Sequence, residues 1–123
     1  MILIVGGAYQ GKEAFAKEQF PNLRWVDGAT CSLGDFSEAD GMLNFHEYIR
    51  RGMQEGQELE HLAEEVLASL QVVVTDELGY GIVPMDAFDR AYREKTGRIC
   101  TEIASGADKV YRVICGIGTV IKG

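Results

Sequence analysis

Residues 1–14 read MILIVGGAYQGKEA: five unbroken apolar residues, a glycine-rich turn, then a polar run suited to a helix. An apolar stretch without alternation predicts a parallel strand covered by helices on both faces rather than a half-solvated edge. Gly6, Gly11 and Lys12 fall at the spacing GxxxxGK, and Glu13 stands where a serine or threonine hydroxyl normally closes that pattern. In such a loop the amides between the framing glycines point inward and the next helix adds its positive end, so phosphate oxygens are held by N–H groups. The residues expected to line a nucleotide are therefore Gly6, Gly7, Ala8, Tyr9, Gln10, Gly11, Lys12 and Glu13, with Lys12 reaching the β and γ phosphates. Any strand-to-helix turn favours glycine. Three glycines and a lysine at fixed offsets, directly after an apolar strand, make phosphate binding the better reading.

Glu13 leaves two alternatives open. Its carboxylate is either a direct ligand of Mg2+, a cation that prefers hard oxygen donors, or a charge that repels the phosphates. Triphosphate chemistry also calls for an acid at the end of a neighbouring strand. Asp27, closing the strand candidate LRWVD (23–27), suits that role, although an aspartate before Gly28 is equally an ordinary turn residue.

Outward from the loop, KEAFAKEQF (12–20) predicts a short helix stopped by Pro21. From Ser37, the residues Ala39, Met42, Leu43, Ile49 and Met53 recur at helical spacing, with Ser37 as N-cap and the glycines at 52 and 56 as the break. His46 lies on that stripe and reads as a core histidine. ELEHLAEEVLASL (58–70) is strongly amphipathic and leads into the strand VVVTDE (72–77). Helical patterns follow from Asp86 to Lys95 and from Arg98 to Ser105, separated by Gly97, and KVYRVICGIGTVIKG (109–123) reads as two strands about a glycine turn. Strands alternating with helices predict an α/β layer structure with a mainly parallel sheet and flanking helices, closed by a C-terminal strand pair.

The chain has 123 residues, which predicts one domain, 1–123, able to bury a core without staples. A formal charge of −7 argues against nucleic acid or an anionic membrane as partner, since both need a basic face. Three cysteines, Cys31, Cys100 and Cys115, without a CxxC pair predict reduced, mostly buried thiols and no metal cluster. Neither a signal-peptide core nor a spanning segment is legible, so the expected location is the cytoplasm.

Three stretches together resemble one family, the bifunctional adenosylcobinamide kinase / adenosylcobinamide-phosphate guanylyltransferases of cobalamin biosynthesis, of which this chain would be a shortened, divergent member. They are GGAYQGKEA (6–14), WVDGATCSLGD (25–35), and VVVTDELGYGIVP (72–84) with the following GRI, ADKVYRVICGIG and IKG. The family has serine after the lysine, and usually asparagine where this chain has Asp76, while Glu77, Gly79, Gly81 and Pro84 match. The resemblance implies a P-loop NTPase-type fold, with ATP or GTP and Mg2+ as cofactors and adenosylcobinamide as a candidate substrate. It makes Asp27 the magnesium-associated acid and Thr30 a neighbour of the site. Family members carry, between the first helix and the acidic strand, a long segment with the histidine that accepts the guanylyl group; here about ten residues join Lys17 to Asp27 and none is histidine.

Two functional readings follow from these residues. In one the chain binds a nucleotide with guanylyl transfer lost and catalysis impaired. In the other it is an active kinase, in which Lys12 positions the γ-phosphate, Asp27 and Glu13 hold magnesium, and Glu77 orients the acceptor hydroxyl. A homo-oligomer is compatible with either.

Overall fold

The computed structural model describes residues 1–78 and 86–123. Its elements run β1 (Ile2–Gly6), α1 (Lys12–Gln19), β2 (Trp25–Asp27), β3 (Gly41–Leu43), α2 (Phe45–Gln54), α3 (Leu62–Ser69), β4 (Val72–Asp76), α4 (Ala87–Gly106), β5 (Lys109–Ile114) and β6 (Ile117–Lys122). Six strands form one sheet in the order β2-β3-β4-β1-β5-β6, parallel throughout except for the antiparallel pair β5-β6. This is the expected α/β architecture, with β1 central and its C-terminal end opening into the glycine-rich loop.

The unbroken apolar run of β1 is explained by two cores, one on each face of the sheet. Leu3 joins Val73, Met42 and Val110 beneath α2, α3 and α4, whereas Ile4 joins Val72, Val74 and Val113 beneath Ala16 of α1. Successive side chains of a strand point to opposite faces, so a strand covered twice must be apolar at every position. Register places Gly6 beside Asp76, so the loop leaves the sheet level with the end of β4.

Two expectations are corrected. The stripe from Ser37 is not one helix: Gly41–Leu43 is a buried strand between β2 and β4, and α2 starts at Phe45 after Asn44 in the left-handed region, φ 54°. Ser37 instead donates through its amide and hydroxyl to Asp35 Oδ1 in a local turn. A three-residue strand is too short to show a period of two, so its buried Met42 and Leu43 coincided with the spacing of the helix that follows. The second correction is at Gly97, which lies inside a continuous 20-residue α4. Burial of Tyr92, Thr96, Ile99 and Ile103 along that helix outweighs the roughly 1 kcal/mol that an interior glycine costs. Asp86 caps α4, its carboxylate accepting from the amides of Phe88 and Asp89.

The cysteines are free, but none is fully buried, and Cys115 is exposed in the β5-β6 turn. No helix among the described residues is long and apolar enough to cross a membrane.

Candidate nucleotide site

The site is assembled at the C-terminal ends of β1 and β4, where α1 begins. Gly11 precedes the helix at φ 83°, a left-handed conformation that a side chain would strain, and its carbonyl accepts the Phe15 amide at 3.0 Å. The loop is braced from outside by the β5-β6 turn. Gln10 accepts from the Cys115 amide through Oε1 and from the Gly116 amide through its carbonyl, both at 2.7 Å. Ala8 and Tyr9 form the outer rim, with Tyr9 fully exposed at φ 61°. A cleft of about 720 Å³ opens over this loop, with Lys12, Glu13, Lys17, Asn44 and Asp76 supplying its polar wall.

Lys12 does not extend into that cleft as a free cation. It is only 8% exposed, and its Nζ lies 2.7 Å from the Gly7 carbonyl and 2.7 Å from Asp76 Oδ1. Asp76 is in turn steadied by His46, whose Nδ1 accepts the Asp76 amide at 3.1 Å and whose Nε2 lies 3.4 Å from Asp76 Oδ2. A ring that accepts at Nδ1 carries its proton on Nε2, so the neutral tautomer faces the carboxylate. Burial holds His46 below its usual range, against the opposing pull of Asp76 and Glu47. The buried Tyr92 hydroxyl donates to the His46 carbonyl at 3.1 Å, joining α4 to this cluster. His46 is thus a satisfied core histidine, as its place on the apolar stripe suggested.

Asp27 occupies a different setting. Its Oδ1 accepts from the Ala29 amide at 2.9 Å and from Asn44 Nδ2 at 3.0 Å, while its carbonyl accepts from Thr30 and Cys31. Thr30 itself is exposed in this turn. Arg51 closes the turn from α2, donating to the carbonyls of Gly28 and Cys31. At Gly28 an added Cβ would meet the Asn44 carbonyl oxygen at 2.4 Å, so the approach of β2 to β3 requires glycine.

The remaining expected residues are separated from Lys12 by side-chain direction. Glu13, in the first turn of α1, pairs with Lys17 one turn on at 3.0 Å and is largely solvent-exposed. Glu77 follows Asp76 and so points to the opposite side; Arg112 of β5 donates to both of its oxygens, at 2.9 and 3.1 Å. Its amide donates to the Gly6 carbonyl at 2.8 Å, extending the β1-β4 ladder into the loop. Gly79, Gly81 and Pro84 lie outside the described residues.

The group that sequence reasoning missed is Asp76, together with Asn44 and Lys17. Its signal was present: an acid directly after four buried strand residues, Val72–Thr75, on a strand able to sit beside β1. Among the described residues no three His, Cys, Asp or Glu side chains converge into a metal cage. Magnesium keeps most of its waters and takes only one or two carboxylates besides substrate phosphates. Asp76 lines the cleft beside Lys12 and could serve as one such carboxylate, whereas Asp27 is engaged by the Ala29 amide and Asn44, and Glu13 by Lys17.

Comparison with known proteins agrees with this architecture. Residues 26–121 match the family model CobU, described as cobinamide kinase / cobinamide phosphate guanyltransferase. A 51-residue stretch is 45% identical to the bifunctional adenosylcobalamin biosynthesis protein CobU of Salmonella typhimurium, covering 42% of this chain and 28% of that protein. The Escherichia coli protein of the same name is 43% identical over 51 residues, again 42% of this chain and 28% of the relative. The chain therefore aligns with little more than a quarter of each of these curated relatives. With its central β1 opening into a phosphate-type loop, its mainly parallel sheet and a family match over most of its length, the chain belongs to the cobinamide kinase / cobinamide phosphate guanyltransferase family.

Proposed function

We propose that residues 1–123 act as one nucleotide-binding domain that takes a nucleoside triphosphate, ATP or GTP, on the loop 6–13 and serves the kinase side of cobalamin biosynthesis. The observation that carries this reading is the placement of Lys12. It is the first residue of α1 and lines a cleft of about 720 Å³ over the loop, where its Nζ pairs with Asp76. Loop amides and the positive end of α1 would hold the phosphate oxygens, and Lys12 would bind the terminal phosphates through charge-assisted contacts. Asp76 would help to hold magnesium arriving with the nucleotide, and the ion would supply neutralisation of the negative charge on the transferred group.

Guanylyl transfer is not part of this reading. His46 is 7% exposed and uses Nδ1 as an acceptor within the protein, which supports its having a structural role. Active phosphorylation of adenosylcobinamide or a related hydroxyl is favoured by one observation: Glu13 is drawn onto Lys17, which offsets the carboxylate that would otherwise oppose the phosphates.

Calorimetric titration of the chain with ATP and GTP, each with and without Mg2+, tests the binding reading. Saturable binding is expected, and no binding under any of the four conditions would remove it. Incubation with nucleotide, Mg2+ and adenosylcobinamide tests the kinase step by following phosphorylated product. Mass spectrometry after incubation with GTP and Mg2+ is expected to show the unmodified chain, whereas a GMP-sized increment would restore guanylyl transfer.

A further inference from the structure

Among the described residues the charged side chains lining the cleft are Lys12, Glu13, Lys17 and Asp76, and they cancel in two pairs. Lys17 lies 3.0 Å from Glu13, and Lys12 lies 2.7 Å from Asp76. The cleft therefore offers a fully ionised triphosphate no net positive side-chain charge, in a molecule whose formal charge is −7. The two pairs differ in shielding. Glu13 is 60% exposed and screened by water, whereas Asp76 is 21% exposed and held against the protein by His46. Screening weakens exposed pairs far more than partly buried ones.

Moving Lys12 from Asp76 onto a phosphate has an electrostatic consequence. Asp76 then loses its counter-charge at the moment when further negative charge arrives beside it. His46 is a poor replacement, because its ring is buried and its Nδ1 already accepts the Asp76 amide. Arg112 faces Glu77 on the other side of β4. A divalent cation carried by the nucleotide would supply that missing charge at the Asp76 carboxylate.

Resting on the nucleotide reading above, we infer that Asp76 makes this site select the metal-chelated triphosphate over the free anion, by holding Lys12 neutralised until a cation replaces it. Asp76 is then a specificity-determining residue, and its side chain rather than that of Glu13 sets the magnesium dependence of binding.

The test is the affinity of the full chain for ATP in Mg2+ and in EDTA, measured by calorimetry for the parent, Asp76→Asn and Asp76→Ser. Both variants remove the charge, and the first keeps the shape; thermal melts establish that each is folded. The parent is expected to bind MgATP at least about tenfold more tightly than free ATP. In both variants the ratio should fall to about threefold or less, chiefly because free ATP binds more tightly than to the parent. Folded variants that keep the parent's ratio would overturn the inference while leaving the phosphate loop intact. A parent that binds both forms equally would do the same. A parent and variants that bind neither form would overturn the phosphate-loop reading itself and this inference with it.

Discussion

Asp27 and Asp76 both end parallel strands of one sheet, and both face the end where the glycine-rich loop emerges, yet they are used in opposite ways. Asp27 is consumed by its own turn, accepting from the Ala29 amide and from Asn44. Asp76 is consumed by a side chain from another element, Lys12 at 2.7 Å. The difference arises from sheet order. β2 is the edge strand and its end meets its own turn and Asn44 after β3, whereas β4 lies beside β1 and its end meets the helix that the loop begins. A strand-end acid is thus a turn residue or a site residue according to which neighbour the sheet gives it.

The largest expected effect breaks the Asp27 side of this comparison through its backbone. Gly28→Val would push a side chain into the Asn44 carbonyl, 2.4 Å from the Cβ position, and should cost at least the about 1–3 kcal/mol typical of overpacking. Chemical denaturation would register it as a lower midpoint at unchanged slope, and a variant as stable as the parent would show that β2 and β3 are less closely apposed. Asp27→Ala should cost about 1–3 kcal/mol by leaving part-buried donors unpaired. Its triphosphate affinity in Mg2+ should stay close to that of the parent. A selective loss of magnesium-dependent affinity would instead return Asp27 to the metal-associated role that its sequence position suggests.

Lys12→Ala strikes the other side. It should weaken triphosphate binding at least about tenfold, about 1.4 kcal/mol, in a titration that leaves an unrelated probe of folding such as far-ultraviolet dichroism unchanged. Equal affinity would sink the loop assignment. A subtler consequence concerns His46. Its folded-state affinity for a proton is lowered by burial, so the unfolded chain binds protons that the folded chain does not. Stability from this group is complete above about pH 6.5, the ordinary histidine value, and is lost as the pH falls from there through the lower folded value. Thermal melts between pH 7.5 and 5.5 should therefore show a decline that His46→Gln reduces. A variant with the parent's full slope would assign the decline to other groups.

Glu13→Ser should have the smallest effect. The Glu13–Lys17 pair is exposed and joins residues one helical turn apart, so its loss should change stability by only about 0.3–0.5 kcal/mol. Freed Lys17 should tighten triphosphate binding modestly, by about threefold or less at physiological ionic strength, because an exposed charge is screened. Tightening larger than that seen with Asp76→Asn would reverse the ranking of the two carboxylates. A loss of magnesium-dependent affinity would make Glu13 a ligand.

Local chemistry alone determined the loop, its lysine and the class of fold. Five apolar residues in succession require cover on both faces, GxxxxGK requires a strand-to-helix turn, and Asp86 is a suitable cap wherever a helix begins there. These are properties of neighbours along the chain, within reach of a spacing argument. What the tertiary structure decided is which distant residues meet. β3 was hidden because three residues carry no period, and α4 runs through Gly97 because its packed face outweighs a local preference. Asp76 became the partner of Lys12 because β1 pairs directly with β4, a contact across 64 positions that no pattern on either segment records. Alternation then turned the adjacent Glu77 toward Arg112 instead, so two consecutive acids were separated by the geometry of one strand.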